Sequence, residues 1–299
     1  MAKGDQLIKI ATRSSKLALF QANLVGRLLG VPYELVEVHS GGDIDLKSPL
    51  SAIGGSGIFV KEVQAAVIRG EADIAVHSAK DIPAKLPDET IVDTFIERGD
   101  PRDALVGSDL AGLKPGAVVA TGSTRRKALL KILRPDLEIV ELRGNIFTRL
   151  DRLRDVDAIV MANAALERLN LADVKRRVFE VEEFMPQVGQ GAIAIEHRCD
   201  DDRVASVLAR VNDLPTQLAV DAERGFLSQM GSGCTLPVGA FATVESGRIQ
   251  LSALVAALDG SRVIKRSQSG EEPRLLGISL GEQILSEGGS ELLLESENS

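Results

Sequence analysis

Residues 7–39 read LIKIATRSSKLALFQANLVGRLLGVPYELVEVH, and this stretch predicts the basic folding unit of the chain. Leu7–Ala11 is an apolar run of strand length, and Ser15–Leu29 has apolar residues at helical spacing. The residues on one side of this helix are Leu17, Phe20, Leu24 and Leu28. Tyr33–His39 returns to a strand-like pattern. A strand, a helix and a second strand in this order predict a βαβ unit, and hence a parallel or mixed α/β sheet.

The same alternation continues along the chain. The first set continues with Ile58–Arg69 (helix) and Asp73–His77 (strand). A second set begins near Pro101, with segments expected at Val118–Ala120 (strand), Ser123–Leu133 (helix), Glu138–Leu142 (strand), Ile146–Arg154 (helix) and Ala158–Ala162 (strand). A third set is expected at Ala192–Glu196 (strand), Asp202–Asn212 (helix), Pro215–Met230 (helix), Val238–Val244, Arg248–Val255 and Arg262–Ser267 (strands), and Leu275–Ser286 (helix). The polar residues after the last helix are expected to fray.

Composition limits the classes of function. The chain has 299 residues, of which 44% are hydrophobic and only 3% aromatic, so two or three domains with aliphatic cores are expected. A net charge of −8 and the scarcity of aromatic stacking groups disfavour nucleic-acid binding. Two cysteines, no apolar signal core and no uninterrupted apolar run of membrane-spanning length indicate a cytoplasmic protein that does not cross a membrane.

Arginines recur where predicted strands turn into helices. Arg13 follows the first strand, Arg125 and Arg126 follow Gly122-Ser123, and Arg143 follows the strand after that, with Arg149 one turn into the next helix. Ligands of α/β sheets collect at the carboxyl ends of strands, and helix N-termini favour anions. Planar guanidinium groups bind carboxylates or phosphates with two hydrogen bonds. The set predicts a confined anion site, although any one of these arginines is equally well explained as a surface charge.

Two other segments carry polar groups. In His77-Ser78-Ala79-Lys80-Asp81-Ile82-Pro83, a carboxylate follows a strand and is placed to act as an acid or to stabilise a cation, but a simple turn explains the same pattern. His77 by itself is interpreted as structural. Gly54-Gly55-Ser56-Gly57-Ile58-Phe59 lacks the Lys-Ser/Thr ending of a nucleotide-binding loop, so a flexible loop is expected there.

The two cysteines are interpreted differently. Cys234 lies in Gly231-Ser232-Gly233-Cys234-Thr235-Leu236-Pro237, which predicts a thiol on an exposed loop, reactive if cations surround it. Cys199 is expected to be a small buried hydrophobic residue. The cysteines and the three histidines lack the spacing of metal ligands, so no metal is expected.

Several motifs, in order, resemble those of the porphobilinogen deaminase (hydroxymethylbilane synthase) family over nearly the whole chain. They are Ala11-Thr12-Arg13-Ser14-Ser15, Gly54-Gly55-Ser56-Gly57-Ile58-Phe59-Val60-Lys61-Glu62, His77-Ser78-Ala79-Lys80-Asp81-Ile82-Pro83, Ser123-Thr124-Arg125-Arg126, Arg143-Gly144-Asn145, Val188-Gly189-Gln190-Gly191-Ala192, Ala222-Glu223-Arg224 and Cys234-Thr235-Leu236-Pro237-Val238-Gly239.

The resemblance implies three α/β domains. The first (1–97 with 192–211) and the second (98–191) are expected to resemble the two halves of a type II periplasmic binding protein, with mixed sheets and a cleft between them. The third (214–299) is expected to be a small α+β domain with a three-stranded sheet that carries Cys234. The family is usually monomeric, which is the expectation for this chain.

The resemblance also implies a reaction. The family condenses four porphobilinogen molecules head to tail, with loss of ammonia, and releases hydroxymethylbilane by hydrolysis. The chain grows on a dipyrromethane cofactor held by a thioether, here on Cys234, and Asp81 matches the carboxylate that stabilises the cationic intermediate. Cofactor contacts are expected from Ser78, Lys80, Asp81, Ser123, Arg125 and Arg126. Contacts to porphobilinogen and the growing oligopyrrole are expected from Arg13, Phe59, Arg143, Arg149, Arg168 and Gln190.

The chain departs from the family pattern at Ser56, often Lys, at Ser232 before Gly233-Cys234, and at Thr124, often Leu. These departures affect the charge of the Gly54–Phe59 loop, the geometry of the cysteine loop and the residue before the paired arginines, but neither Asp81 nor Cys234. Two other classes of function stay open. A two-lobed carboxylate-binding protein without catalysis explains the arginines equally well. A thiol hydrolase using Cys234 and His77 is a poorer hypothesis because no third triad member is evident.

Overall fold

The computed structural model describes residues 7–38, 60–231 and 236–297, with side chains up to residue 296. The whole of the predicted Gly54–Phe59 loop, including Phe59, lies outside the described residues, as do Cys234 and His39. The chain divides into two compact units, which are described separately. The first comprises Met1–Gly99 with Ala192–Gln217, and the second comprises Asp100–Gly191 with Leu218–Ser299.

Strands and helices alternate as the sequence predicts. The strands are β1 (Ile8–Arg13), β2 (Tyr33–Val38), β3 (Ile74–Ser78), β4 (Thr90–Phe95), β5 (Asp103–Val106), β6 (Val118–Ala120), β7 (Glu138–Val140), β8 (Ala158–Ala162), β9 (Arg176–Val178), β10 (Ile193–Arg198), β11 (Val238–Glu245), β12 (Arg248–Ala256) and β13 (Val263–Gly270). The α-helices are α1 (Lys16–Leu29), α2 (Lys61–Ile68), α3 (Thr124–Leu133), α4 (Ile146–Asp151), α5 (Asn163–Arg168), α6 (Asp202–Leu208), α7 (Leu214–Gln229), α8 (Pro273–Ile284) and α9 (Ser290–Glu297).

The first unit contains a mixed five-stranded sheet in the order β2-β1-β3-β10-β4. β1 is parallel to β2 and β3, and β10 is antiparallel to both of its neighbours. Side chains alternate between two cores, so that Ile10 and Ile74 pack in one cluster while Ala11 and Ala75 pack in another. Both faces are therefore covered, as expected of a sheet whose strands are apolar throughout. The return of the chain to this sheet at β10 is confirmed.

The second unit contains a five-stranded sheet of the same pattern, in the order β7-β6-β8-β5-β9. Three parallel strands are followed by the antiparallel β5, which pairs with β8 and β9. In the same unit β11, β12 and β13 form an antiparallel sheet. The α/β class, with two mixed five-stranded sheets and one three-stranded sheet, is thus confirmed. The division into three domains stays a prediction, since Leu254 and Ala256 of β12 share a core with Leu105 and Val119.

Two helices of the second unit approach each other through glycine. A Cβ placed on Gly277 of α8 would overlap the backbone oxygen of Ala222 in α7, and one on Gly225 would lie 2.5 Å from the backbone oxygen of Arg274. No larger residue allows backbones to come this close without displacement. These glycines therefore fix the distance between α7 and α8, which cover the core formed with β11–β13.

Several expectations were wrong in detail. The strands β4, β5 and β9 and the helix α5 were not predicted, and the polar tail forms α9 because Leu292 is buried against the core. Helix α1 buries Gln21, Ala22, Val25, Gly26 and Leu29, whereas Leu28 is 49% exposed. Cys199 is exposed rather than buried, since it follows the end of β10 in a turn.

Candidate active site

In the first unit, the carboxyl ends of two parallel strands bring predicted site residues together. β1 and β3 pair with Ile10 opposite Ile74 and Ala11 opposite Ala75, which places Arg13 level with His77. Arg13, His77, Ser78 and Asp81 line one recess, with Val60 and Val63 among its apolar lining. The recess therefore holds a guanidinium and a carboxylate against an apolar wall.

The segment that carries Asp81 is fixed by its neighbours. Ala79–Asp81 forms one turn of 3-10 helix directly after β3. The hydroxyl of Ser78 lies 3.0 Å from Nε2 and 3.3 Å from Oε1 of the buried Gln21 in α1, and the Ala79 amide donates to the Ala192 carbonyl at 3.1 Å. The hydroxyl of Ser78 is thus already engaged within the protein. Ser78, Lys80 and Asp81 are themselves only partly buried, which leaves them accessible to a ligand.

Behind the same recess lies a fully buried carboxylate, Glu196 of β10. It accepts hydrogen bonds from Thr90 Oγ1 at 2.5 Å, from Gln64 Nε2 and from His77 Nε2 at 2.9 Å. Burial by itself would raise the pKa of Glu196, but the hydrogen bonds, led by that of His77, lower it below the ordinary value. Glu196 is therefore ionised at neutral pH, and His77 has the structural contact expected of it.

In the second unit, the paired arginines at the start of α3 point into the interior. Arg125 Nη2 donates to Asp103 Oδ2 at 2.7 Å, and Arg126 donates to Asp103 Oδ1 through Nε at 3.0 Å and Nη2 at 2.7 Å. Burial would raise the pKa of Asp103, but the two positive charges lower it to about 2. Two guanidinium groups and one carboxylate leave one surplus positive charge. Arg125 Nε is buried and has no hydrogen-bond partner among the residues that the structure describes.

Two further predicted residues are tied to this region. Gln190 is fully buried and donates through Nε2 to the Pro101 carbonyl at 2.8 Å and to Asp103 Oδ1 at 3.0 Å. Ser123 caps α3, where its hydroxyl accepts from the Arg126 amide at 3.4 Å. These contacts leave Gln190 and Ser123 with established roles in holding the second unit together, in addition to any role with a ligand.

The remaining arginines lie near glycine turns. Arg143 Nε lies 3.6 Å from Glu141 Oε1, and Arg149 Nε donates to the Gly144 carbonyl at 2.7 Å. A Cβ on Gly122 would lie 2.7 Å from the Leu142 backbone oxygen, so the turns after β6 and β7 pass close together. The loops that precede α3 and α4 therefore meet at one edge of the second sheet.

Arg168, at the end of α5, is largely withdrawn from solvent. Its Nη2 donates to the Gly191 carbonyl at 2.5 Å, and burial lowers its pKa to about 10. It nevertheless stays charged at neutral pH. The structure thus brings together Arg13, Ser78 and Asp81 in one unit, and Ser123, Arg125, Arg126 and Gln190 in the other.

Comparison with known proteins identifies the family. A family model described as "Porphobilinogen deaminase, dipyromethane cofactor binding domain" matches residues 8–206, and one described as "Porphobilinogen deaminase, C-terminal domain" matches residues 217–286. The porphobilinogen deaminase of Brevibacillus brevis is 43% identical over 298 residues, which cover 96% of each chain. The chain belongs to the porphobilinogen deaminase family. The resemblance drawn from the motifs is confirmed, and Arg13, Asp81 and Arg126 all fall within the cofactor-binding domain of the family.

Solved structures resemble this member of the porphobilinogen deaminase family more distantly. An amino acid ABC transporter substrate-binding protein from Streptococcus pneumoniae, bound to L-arginine, is 17% identical with a TM-score of 0.38 and covers 69% of this chain and 86% of its own. A putative periplasmic sulfonate-binding protein from Methylobacillus flagellatus is 13% identical with a TM-score of 0.38 and covers 74% and 68%. TM-scores of this size support no inference.

The motif comparison with porphobilinogen deaminases missed Asp103 and Glu196, which organise the two polar clusters. A weak signal existed for Glu196, since it is a charged residue at the end of the apolar run Ala192-Ile193-Ala194-Ile195. Asp103 begins the unpredicted β5. Among the described residues, no His, Cys, Asp and Glu cluster is arranged to hold a metal, and no helix is long and apolar enough to span a bilayer.

Proposed function

We propose that this chain condenses four porphobilinogen molecules head to tail, with loss of ammonia, into hydroxymethylbilane. The observation that carries the proposal is the recess of the first unit, where Arg13 and Asp81 lie at the ends of adjacent parallel strands within the family's cofactor-binding domain. A substrate that carries carboxylates and an amine needs a positive and a negative partner in the protein. The recess provides a cation for the carboxylate and an anion for the nitrogen.

The residues also fit the family's dipyrromethane, whose pyrrole rings carry carboxylates. The surplus positive charge of the Asp103 cluster and its unpartnered Arg125 Nε suit an anionic group. In the proposal Cys234 holds the group by a thioether, and contacts come from Ser78, Lys80, Asp81, Ser123, Arg125 and Arg126. When bound, the dipyrromethane supplies the pyrrole carbon to which the first substrate is joined.

Asp81 is proposed as the catalytic residue. Departure of ammonia from the aminomethyl group leaves a cation delocalised over the substrate's pyrrole ring. A fixed carboxylate beside that cation stabilises it more strongly in a water-poor recess than in solvent. Partial burial and the ordered turn Ala79–Asp81 support this role, because the carboxylate then needs no reorientation during the reaction.

The other cationic residues are proposed to hold substrate carboxylates. Arg13 is assigned to the first unit, and Arg143, Arg149 and Arg168 to the second, with Gln190 as a neutral contact. A guanidinium group forms two parallel hydrogen bonds with a carboxylate, which fixes its orientation as well as its position. Phe59 is proposed to shield the reacting groups from water.

Three further properties belong to the proposal. The net charge of −8 supports a protein that does not bind nucleic acid. The low cysteine content, two in 299 residues, supports a cytoplasmic location. A monomer is proposed from family resemblance.

Intact mass and product analysis test the function. The purified chain should be heavier than its sequence by one dipyrromethane, Cys234→Ser should lack the additional mass, and porphobilinogen should yield ammonia and hydroxymethylbilane. An unmodified chain with full activity would exclude the covalent mechanism. Saturable binding of porphobilinogen without ammonia release would instead establish a two-lobed binding protein.

A further inference from the structure

Glu196 connects three elements of the first unit through one buried carboxylate. Gln64 comes from α2, Thr90 from β4 and His77 from β3, and all four side chains are at most 6% exposed. His77 directly precedes the segment Ser78–Asp81, so its contact with Glu196 lies next to the proposed catalytic turn. A charge buried this deeply needs several donors to compensate for lost hydration.

The chemistry of this contact fixes which nitrogen of His77 carries a hydrogen. Glu196 Oε2 lies 2.9 Å from His77 Nε2, and an ionised carboxylate only accepts hydrogen bonds. Nε2 must therefore donate. The tautomer of a histidine is set by the partner of one ring nitrogen, which determines what the other nitrogen offers.

The other ring nitrogen, Nδ1, is placed differently. It has no hydrogen-bond partner in the described part of the chain, and the His77 side chain as a whole is 4% exposed. His77 also lines the recess that holds Arg13 and Asp81. With Nε2 turned to the interior, Nδ1 is the polar atom that His77 offers to this recess.

We propose that Glu196 is a positioning residue that holds His77 with Nε2 protonated, so that Nδ1 accepts a hydrogen bond from an N–H group of a ligand beside Asp81. The ligand class is a carboxylated heterocycle or amine, since the recess pairs Arg13 for a carboxylate with two acceptors, Nδ1 and Asp81, for N–H groups. Only the identity of the ligand as porphobilinogen rests on the proposed function.

Nitrogen-15 NMR of the histidine rings tests the tautomer in the full-length, cofactor-loaded protein. The chain has three histidines, His39, His77 and His197, so His77→Gln and His197→Gln suffice to assign the spectrum. We expect the His77 ring to be protonated at Nε2, and its Nδ1 resonance to shift when porphobilinogen is added. A ring protonated at Nδ1, whether alone or together with Nε2, or an Nδ1 resonance unmoved by porphobilinogen, would overturn the proposal.

Glu196→Gln provides a second test. The glutamine side chain can turn either its carbonyl or its NH2 group towards His77 Nε2, so the Nδ1–H tautomer should become populated. We expect kcat to fall at least about tenfold, the factor expected for one hydrogen bond to a charged group, while KM changes less. Unchanged tautomer and unchanged kcat would refute the positioning role. If this variant does not fold, the nitrogen-15 spectrum of the unmodified protein alone decides which tautomer His77 has.

His197→Gln is the matched control. It also removes a histidine–carboxylate contact, that of the buried His197 on β10 with Asp93 on β4, whose side chain is 43% exposed. His197 lies outside the recess, so kcat should stay within twofold. A chain that keeps the Nε2–H signal and the porphobilinogen-induced shift but makes no hydroxymethylbilane would refute the proposed function and leave the role of Glu196 standing.

Discussion

Asp103 and Arg126 form a two-point ion pair inside the second unit, with Nε and Nη2 of the arginine 3.0 and 2.7 Å from the same carboxylate oxygen. Arg125 binds the other oxygen, and the Gln190 amide adds a further donor. A cluster predicted from the motif to face a ligand is thus held from behind by a carboxylate. Its stability and its charge are both set by Asp103.

Replacing Asp103 with Asn should destabilise the protein by about 3–5 kcal/mol, because two buried guanidinium groups lose their counter-charge. The free energy of unfolding in urea measures this. The exposed pair Arg152 and Asp155 is the control, and Asp155→Asn should cost less than about 1 kcal/mol. Equal effects of the two substitutions would contradict the structural importance of the cluster.

Asp103 also predicts acid sensitivity. Its pKa is lowered from 3.8 to about 2 on folding, so its contribution of about 2 kcal/mol is present above the ordinary value and is lost as pH falls towards 2. Unfolding free energies measured from pH 5 to pH 2 should fall less steeply in Asp103→Asn than in the unmodified chain. Parallel curves would show that other carboxylates account for the loss of stability at low pH.

Asp81→Ala should retain the fold and the covalent cofactor but lower kcat by about 100- to 1,000-fold, the range for losing one group that stabilises transition-state charge. Intact mass, circular dichroism and product formation are the three measurements. Asp88→Asn, at an exposed position of the same unit, should behave as the unmodified chain. Ordinary turnover in Asp81→Ala would remove Asp81 from its proposed role.

Arg143→Leu should stall elongation, since a carboxylate of the growing chain loses its cationic partner. Mass spectrometry during turnover should then show accumulated covalent species of intermediate mass. Arg154→Leu removes an arginine whose side chain is 83% exposed and should leave the distribution unchanged. Identical distributions in both variants would mean that Arg143 is only a surface charge.

His197 predicts a pH effect of opposite sign. Its Nε2 lies 3.2 Å from Asp93 and its Nδ1 lies 2.8 Å from the Arg198 carbonyl, so both nitrogens donate. The hydrogen bond to Asp93 raises the pKa of His197, and the resulting stability is full below about 6.5 and is lost as pH rises through the raised value. His197→Gln should abolish this loss, as followed by urea unfolding between pH 5 and pH 9.

The sequence predicts the parts of the fold that depend on local pattern. The helices predicted from Ser15 and Ser123 are found as α1 and α3, each capped by that serine, and β1, β6 and β8 are found where predicted. The strands β5 and β9 were missed because they are defined by their neighbours in the sheet. Local spacing carries no information about such pairing.

The same distinction applies to the candidate site. Motifs located Arg13, Asp81 and the paired arginines, but not the direction in which each side chain points. Arg125 and Arg126 turn inward because Asp103 lies more than 20 residues earlier on an antiparallel strand, a contact that only the tertiary structure creates. The contact between Glu196 and His77 was likewise not predictable from local sequence, because 119 positions separate the two residues.

The order of strands in the first sheet has a consequence for biosynthesis. β10 lies between β3 and β4, yet it is encoded after the five strands of the second sheet. A nascent chain therefore cannot complete its amino-terminal sheet until residue 198 has left the ribosome, and until then the edges of β3 and β4 wait unpaired. The first unit therefore cannot fold before the second sheet has been synthesised. Truncation before β10 should yield an aggregation-prone fragment rather than a smaller folded protein.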